Sequence, residues 1–173
     1  MRLQGKKVVF LVDQGFEDLE FWVPRMRLEE EGAEVVVASR QPGRYTGKHC
    51  LTAEATVAAG DLSPADFDAV VVPGGWAPDK LRRDPGVLDL VRGAYQQGRI
   101  VASLCHGGWV LISAGIVAGH KATGSLGIRD DVLNAGGTWV DAPAFRDGNL
   151  VWGRVVKDIP AFCRELVAAL AEG

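Results

Sequence analysis

The 173-residue sequence has only three cysteines, Cys50, Cys105 and Cys163, an odd number at wide spacing. Such a set excludes the disulfide framework that stabilises small exported domains. No C-x-x-C pair occurs, so neither a zinc ribbon nor a thioredoxin-type dithiol is indicated. We therefore expect reduced thiols, no metal site and a cytoplasmic location.

Long apolar runs are also missing, and no run approaches the roughly 20 residues of a membrane-spanning helix. Basic residues at the N-terminus precede the apolar run 8–12, but the run ends at Asp13. Because this is shorter than the core of a signal peptide, it predicts a buried strand and no membrane attachment.

Neither sign of charge dominates, since 19 basic residues face 22 acidic ones. The basic cluster 80–83 is typical of a solvated helix face, and no nucleic-acid partner is expected. The phosphate-binding patterns G-x-G-x-x-G and G-x-x-x-x-G-K-[ST] do not occur, so no nucleotide cofactor is expected either.

What the sequence does contain is a regular alternation of β-rich and helical stretches, which predicts one α/β domain over residues 1–173 with a mainly parallel sheet. The predicted strands are 6–12, 33–39, 67–75 and 99–105, with a hairpin over 144–153 and short extended pieces within 43–58. The predicted helices are 17–32, 85–98, 107–115, 128–137 and 158–173.

Two helices carry apolar residues at helical spacing. In 158–173 this spacing predicts that Cys163 packs in the core. In 17–32, Pro24 predicts a bend or a late helix start. The apolar stripe of that helix consists of Leu19, Trp22, Val23, Met26 and Leu28.

Ligands of open α/β sheets lie beyond the carboxyl ends of the strands, which directs attention to 13–18, 73–79 and 105–109. Cys105 ends a strand at the start of a helix, where free N–H groups favour a thiolate. Gly107 and Gly108 permit the close backbone approach found in the nucleophile elbows of hydrolases. Position alone leaves two interpretations open, a nucleophile or a packed structural cysteine.

A nucleophile needs partners, and the sequence offers three kinds. His106 is adjacent, but side chains of consecutive turn residues usually diverge, so adjacency does not predict a hydrogen bond. Glu17 and Glu20 lie near the same sheet edge and either contact the thiol or complement a helix N-terminus. The Pro-Gly-Gly turn, which contains Gly74 and Gly75, supplies N–H groups for an oxyanion.

Five stretches together resemble the PfpI family of the class I glutamine amidotransferase-like superfamily, which includes intracellular peptidases, general stress proteins and protein deglycases. The resemblance extends from residue 6 to about residue 167. It is carried by FEDLE (16–20), TGKH (46–49), DAVVVPGGWAPDKLR (68–82), VASLCHGGWVLISAGIVAGHKAT (101–123) and GIRDDVLNAGGTWVD (127–141).

The resemblance implies a flavodoxin-like three-layer sandwich with Cys105 as the nucleophile on the elbow. It implies His106 as the histidine partner, either Glu17 or Glu20 against the cysteine, and Asp79 from a neighbouring subunit as the acid that orients the histidine. The oxyanion donors would be the N–H groups of Gly75 and His106, with Gly74 and Gly107 beside the substrate. A homodimer or homohexamer follows from the same resemblance.

Four positions depart from the family pattern. Asp79 replaces the usual Glu, Gly108 replaces a proline, Cys50 replaces a glycine, and Gly153 replaces the Ser or Thr before Arg154. Asp79 keeps the charge of the usual glutamate, but its side chain is one methylene shorter and extends less far toward His106.

The expected function is that of a cysteine-dependent stress-response hydrolase. Its substrates would be glyoxal-type carbonyl adducts or, in a peptidase-like member, peptide bonds. The alternative is a redox-sensing or chaperone-like stress protein whose Cys105 is oxidised instead of turned over. Glutaminase activity is not expected, because no histidine follows His120.

Overall fold

The computed structural model describes all of residues 1–173. Its helices alternate with its strands as the sequence predicts. The strands are β1 Lys7–Leu11, β2 Glu34–Ser39, β3 Gly43–Thr46, β4 Thr52–Ala55, β5 Val57–Ala58, β6 Ala69–Val72, β7 Ile100–Leu104, β8 Lys121–Ala122, β9 Thr138–Trp139, β10 Ala144–Asp147 and β11 Leu150–Gly153. The helices are α1 Asp18–Glu30, α2 Ala77–Leu81, α3 Pro85–Gln96, α4 Gly108–Ser113, α5 Arg129–Asn134 and α6 Ile159–Glu172.

Seven strands form the central sheet in the order β10-β11-β7-β6-β1-β2-β5. All neighbours are parallel except β10 and β11, which form the predicted hairpin. Helix α1 packs on α6, while α3 packs on α4, so helices cover the sheet on both sides. The flavodoxin-like α/β sandwich predicted from the sequence is confirmed.

The centre of the sheet is apolar except for Ser103 in β7, because both of its faces are covered by helices. β6 and β7 are buried along their whole length, and β1 is buried except at Lys7. α6 faces this core with Phe162, Leu166 and the predicted Cys163. None of the helices is long and apolar enough to cross a membrane.

Helix α1 differs from its predicted orientation. Leu19, Val23 and Met26 of the apolar stripe are 47%, 41% and 60% exposed. Phe21 instead faces the sheet, with its ring centroid 5.8 Å from Phe10 and 5.3 Å from Phe16. The buried side of α1 also carries Asp18 and Glu20, since it passes over the strand ends where polar groups collect.

Pro24 lies inside α1 and does not mark its start. Because proline has no N–H, the carbonyl of Glu20 loses its usual partner four residues on. The disturbed turn therefore lies directly at a residue of the candidate site.

Segment 43–58 contains the predicted short extended pieces, and β3 and β4 pair as an antiparallel hairpin. Its turn includes Cys50, which has a φ of 74°. This is the left-handed region that glycine adopts readily and other residues adopt at a cost. The departure from glycine at this position thus leaves local strain in the backbone.

The strand order places the candidate site. After β1 the chain adds β2 on one side of it and later adds β6 and β7 on the other side. The order of strand addition therefore reverses between β1 and β6, although the two strands are parallel. The crevice at such a switch point is where open α/β sheets bind ligands. A bridge between Phe16 and Gly75 joins the two loops that leave this point.

Candidate functional site

Cys105 lies at the sharp turn between β7 and α4, with a φ of 56°. The turn fits because Gly107 passes against the backbone at the end of β6, where a Cβ would overlap the carbonyl oxygen of Val72. On the other side, the backbone N–H of Ser125 donates to the carbonyl oxygen of Cys105 at 3.3 Å. Strained backbone held from both sides is a feature of catalytic turns.

His106 points toward its neighbour, contrary to the expectation that adjacent side chains diverge. Its Nδ1 lies 3.3 Å from the sulfur of Cys105. The two residues lie in a tight 3₁₀ turn over Cys105–Gly107, which begins with the positive φ of Cys105. Burial, together with the positive charge of Lys48, lowers the pKa of His106 below its usual value. The imidazole is therefore neutral at neutral pH and able to accept a proton.

The two candidate glutamates occupy different positions, and Glu20 is the one beside Cys105. Gly74 lies between Glu20 and Cys105. A Cβ at Gly74 would be 2.9 Å from the Cβ of Cys105 and 3.0 Å from Oε1 of Glu20. Neither carboxyl oxygen has a well-aligned hydrogen-bond partner. Burial, reinforced by the charge of Glu17, raises the pKa of Glu20 to about 8. Its carboxyl is therefore largely protonated at neutral pH.

Glu17 has a different environment at the start of α1. It accepts a hydrogen bond from the N–H of Leu19 at 3.4 Å, as an N-cap does. Its other oxygen lies 3.6 Å from Lys48 Nζ and 3.6 Å from His49 Nε2. Both interpretations of the acidic cluster therefore hold, each for a different residue.

The Cys105 thiol is harder to ionise than the sequence suggests. Burial and the negative charge of Glu20 raise the pKa of Cys105 to about 12, while the His106 N–H, Lys48 and Ser125 act in the opposite direction. Two acids that close together do not both ionise readily, so their titrations are coupled. Activation of the thiol therefore depends on moving its proton to a neighbour.

Two backbone N–H groups are available to an oxyanion. Gly75, with a φ of 81°, has an N–H that meets no acceptor within the protein. Its position is fixed on both sides, since Glu17 donates to the carbonyl of Gly74 at 3.0 Å and Trp76 donates to that of Gly15 at 2.8 Å. The N–H of His106 points at the Cys105 sulfur. These groups suit a negative charge that develops on a substrate oxygen.

A cavity of about 720 Å³ opens above Cys105. Trp76 and Trp109 form its aromatic walls, and the Nζ of Lys48 lies 5.5 Å from the centre of the Trp76 ring. Trp109 donates to Asp131 at 2.8 Å, which fixes its ring beside His106. The cavity is large enough for a small ligand and carries acidic, basic and thiol groups on its walls.

Asp79 also lines this cavity, but it does not reach His106 within the same chain. Its carboxylate instead lies 3.2 Å from Arg83 and is largely exposed. No carboxylate of this chain forms a hydrogen bond to the His106 ring. The orienting acid is therefore absent from the site of an isolated chain.

Reasoning from the residues missed three members of the site: Lys48, Trp109 and Ser125. Lys48 stood only within the TGKH stretch, where nothing about its type or spacing predicts that a hairpin turn brings it to Cys105. Trp109 and Ser125 carry no local signal either, because their contacts depend on how α4 and the loop after β8 fold back over the elbow.

The chain is similar to known proteins over nearly its whole length. Residues 6–169 match the model of the DJ-1/PfpI family. The chain belongs to the DJ-1/PfpI family. It is 46% identical over 164 residues to "Deglycase TK1284" of Thermococcus kodakarensis, covering 95% of this chain and 99% of that protein. It is 42% identical to "Deglycase PfpI" of Pyrococcus furiosus over the same shares.

A solved structure of similar fold comes from Anabaena variabilis, a two-domain protein with DJ-1/ThiJ/PfpI-like and ferritin-like domains. It superposes with a TM-score of 0.94 at 40% identity over 95% of this chain, which spans about half of that protein. The resemblance seen in the sequence is thus confirmed at the level of family and fold. Relatives named deglycases support an enzyme of this family.

Proposed function

We propose that the protein is a cysteine-dependent deglycase that acts on small glyoxal-derived carbonyl adducts. The observation that carries the proposal is the arrangement around Cys105, in which a thiol at a strained turn contacts a neutral imidazole at 3.3 Å. Beside it lie a free N–H at Gly75 and a cavity of about 720 Å³.

In the proposed first step, the sulfur of Cys105 forms a bond to the carbonyl carbon and the thiol proton moves to Nδ1 of His106. The π electron pair of the carbonyl moves onto oxygen, which accepts hydrogen bonds from the N–H groups of Gly75 and His106. Because the thiol pKa is raised and the imidazole pKa lowered, this proton transfer accompanies the attack and does not precede it.

The deglycase reaction fits the cavity better than peptide hydrolysis does. A glyoxal adduct presents a small reacting group that one cavity can surround, whereas a peptidase also binds several residues on either side of its scissile bond. The raised pKa of Cys105 also disfavours the redox-sensing alternative, since a protonated thiol reacts slowly with peroxide.

The test is the consumption of methylglyoxal and the release of free amine from a methylglyoxal-treated peptide. We expect Cys105→Ser to lose at least about 100-fold of the wild-type rate, because an alcohol is a far weaker nucleophile than a thiol. Cys163→Ser, far from the cavity, is the matched control and should retain the rate. Equal rates for wild type and Cys105→Ser would overturn the proposal.

The site is proposed to be completed by oligomerisation. In support, the His106 ring has no carboxylate partner in its own chain, and Asp79 stands at the cavity wall with its carboxylate accessible. Asp79 of a second copy would then orient His106 in a homodimer or homohexamer. A cytoplasmic location and a role in stress response belong to the same proposal and rest on the family.

A further inference from the structure

Cys105 stands among groups that oppose its ionisation. Glu20 approaches it from α1, with the carboxyl of Glu17 close behind, and the sulfur itself is largely buried. The imidazole of His106 is neutral, and the hydroxyl of Ser125 offers a dipole without charge. Formation of a thiolate or an oxyanion here would leave negative charge without a full positive charge beside it, unless another group supplies one.

Lys48 is the cation that reaches this position. Its ammonium lies 3.6 Å from Glu17 Oε2 and 5.5 Å from the centre of the Trp76 ring, so it projects into the cavity. Its field acts on three groups at once and favours the ionised forms of Cys105 and Glu20 and the neutral form of His106. Lys80 and Lys157 also line the cavity, but Lys48 is the lysine among the main causes of the pKa shifts of these groups.

Lys48 is brought there by the turn of residues 47–51, which Asp18 holds in place. The Asp18 carboxylate is buried and accepts hydrogen bonds from the N–H groups of His49 at 2.9 Å and Leu51 at 2.8 Å. The N–H of Lys48 itself donates to the carbonyl of Phe16 at 2.9 Å. A carboxylate that binds two backbone N–H groups just after Lys48 holds the turn from which the Lys48 side chain projects.

Gly47 shows how closely the turn is packed on that carboxylate. A Cβ at this position would lie 2.6 Å from Cγ of Asp18, so even alanine would displace one of the two. The turn and the carboxylate are therefore fitted to each other. This is a structural reason for the order T-G-K-H in the sequence.

We infer that Lys48 compensates the negative charge that develops on the Cys105 sulfur and on the substrate oxygen during the attack, and that Asp18 is a positioning residue that holds the Lys48 turn at the cavity. This inference rests on the proposed role of Cys105 as the nucleophile. It adds a cation to a site whose other members are acids, a neutral imidazole and backbone N–H groups.

The experiment is the pH dependence of Cys105 alkylation by iodoacetamide, followed on the Cys105 peptide by mass spectrometry without any substrate. Lys48→Met should slow the alkylation of Cys105 by about tenfold at any pH below the pKa of the thiol, because the cation that favours its ionised form is gone. Lys48→Arg keeps the positive charge, so its alkylation rate should stay within about twofold of the wild-type rate.

Lys121→Met is the matched control, because Lys121 is an exposed lysine outside the cavity. Asp18→Asn should also slow the alkylation of Cys105, but less than Lys48→Met does. The reason is that the amide has one oxygen and can accept only one of the two backbone hydrogen bonds well. Adding Asp18→Asn to Lys48→Met should then slow the alkylation no further. A merely structural role of Asp18 would not give this outcome.

The outcomes separate the two proposals. If the alkylation of Cys105 depends on pH in the wild type and Lys48→Met leaves its rates unchanged, the inference about Lys48 is wrong. The proposed role of Cys105 as the nucleophile is then unaffected. If Cys105 alkylates no faster than Cys163 at any pH, the proposed function fails first. Lys48→Gln provides a second neutral variant and should slow the alkylation as much as Lys48→Met does. Circular dichroism checks that each variant is folded.

Discussion

Glu20 is the residue whose ionisation changes most when the chain folds. Burial raises its pKa from 4.5 to about 8, so the folded state binds a proton that the unfolded state releases above pH 5. When the folded state binds more protons than the unfolded state, the free energy of unfolding falls as pH rises, by up to about 1.4 kcal/mol per pH unit. The penalty ends near pH 8, where the folded state also releases the proton.

We therefore expect the free energy of unfolding to fall by about 2 kcal/mol from pH 6.5 to 8.5 through Glu20 alone. Glu20→Gln, which resembles the protonated form, should lack this contribution. The measurement is urea denaturation of both proteins at the two pH values, and the difference between them cancels the other titrating groups. Parallel pH dependence in the two proteins would show that Glu20 is already ionised at pH 6.5.

Cys50 gives a second prediction at the scale of one residue. Its φ of 74° costs free energy that glycine would not incur, and its side chain is exposed. Cys50→Gly should stabilise the protein by about 1 kcal/mol, or raise Tm by about 2–4 °C in a domain of this size. Cys50→Ala removes the thiol without relieving the backbone and should give no gain in a thermal scan.

At the scale of elements, the elbow between β7 and α4 depends on its contact with the end of β6. A Cβ at Gly107 would overlap the carbonyl oxygen of Val72, and backbone at the centre of a sheet cannot move aside cheaply. Gly107→Ala should therefore lower the free energy of unfolding by about 2–3 kcal/mol, in the range of severe overpacking.

Gly60→Ala is the control for that substitution, because its new Cβ would make only an ordinary contact, 3.4 Å from the Cα of Gly86. Urea denaturation of both variants makes the comparison. A Gly107→Ala protein as stable as Gly60→Ala would mean that the elbow does not pack closely on the end of β6.

The elements also show how far sequence reasoning reaches. The buried strands follow from continuous apolar runs such as 8–12, and the elbow follows from a strand that ends in Cys105 and two glycines. The face of α1 could not be predicted, because Leu19, Val23 and Met26 form a regular stripe that the helix turns away from the sheet. The side of α1 that is buried depends on the polar strand ends that the helix covers. No pattern within residues 17–32 indicates those contacts.

The same limit applies within the site. Glu17 and Glu20 differ by less than one helical turn, and only the packing of α1 against Gly74 decides which of them reaches Cys105. Lys48 arrives from a hairpin on a different part of the chain. Side chains that come from one strand end are predictable, whereas those delivered by loops depend on the assembled fold.

At the scale of the whole molecule, the absence of a carboxylate partner for the His106 ring predicts a shared active site. Asp79→Asn and Cys105→Ser should each be impaired in deglycase activity. When the two are unfolded together and refolded, mixed dimers would contain one site with both Cys105 and an intact Asp79, so about a quarter of the wild-type activity should return.

The control mixes Asp79→Asn with the double variant Cys105→Ser/Asp79→Asn, from which no intact site can form. Light scattering coupled to size-exclusion chromatography establishes the size of the assembly in each sample. No recovery in the first mixture, or a protein that is monomeric throughout, would contradict the shared site.

Much of what surrounds Cys105 is main chain. The Gly75 and His106 N–H groups, and the Ser125 N–H that holds the turn, survive any side-chain substitution that leaves the backbone path intact. Drift in the sequence can therefore reshape the cavity walls at Trp76 and Trp109 without dismantling the groups that would steady a negative charge. Such a division would let a lineage exchange one substrate for another while the proposed addition to a carbonyl is kept.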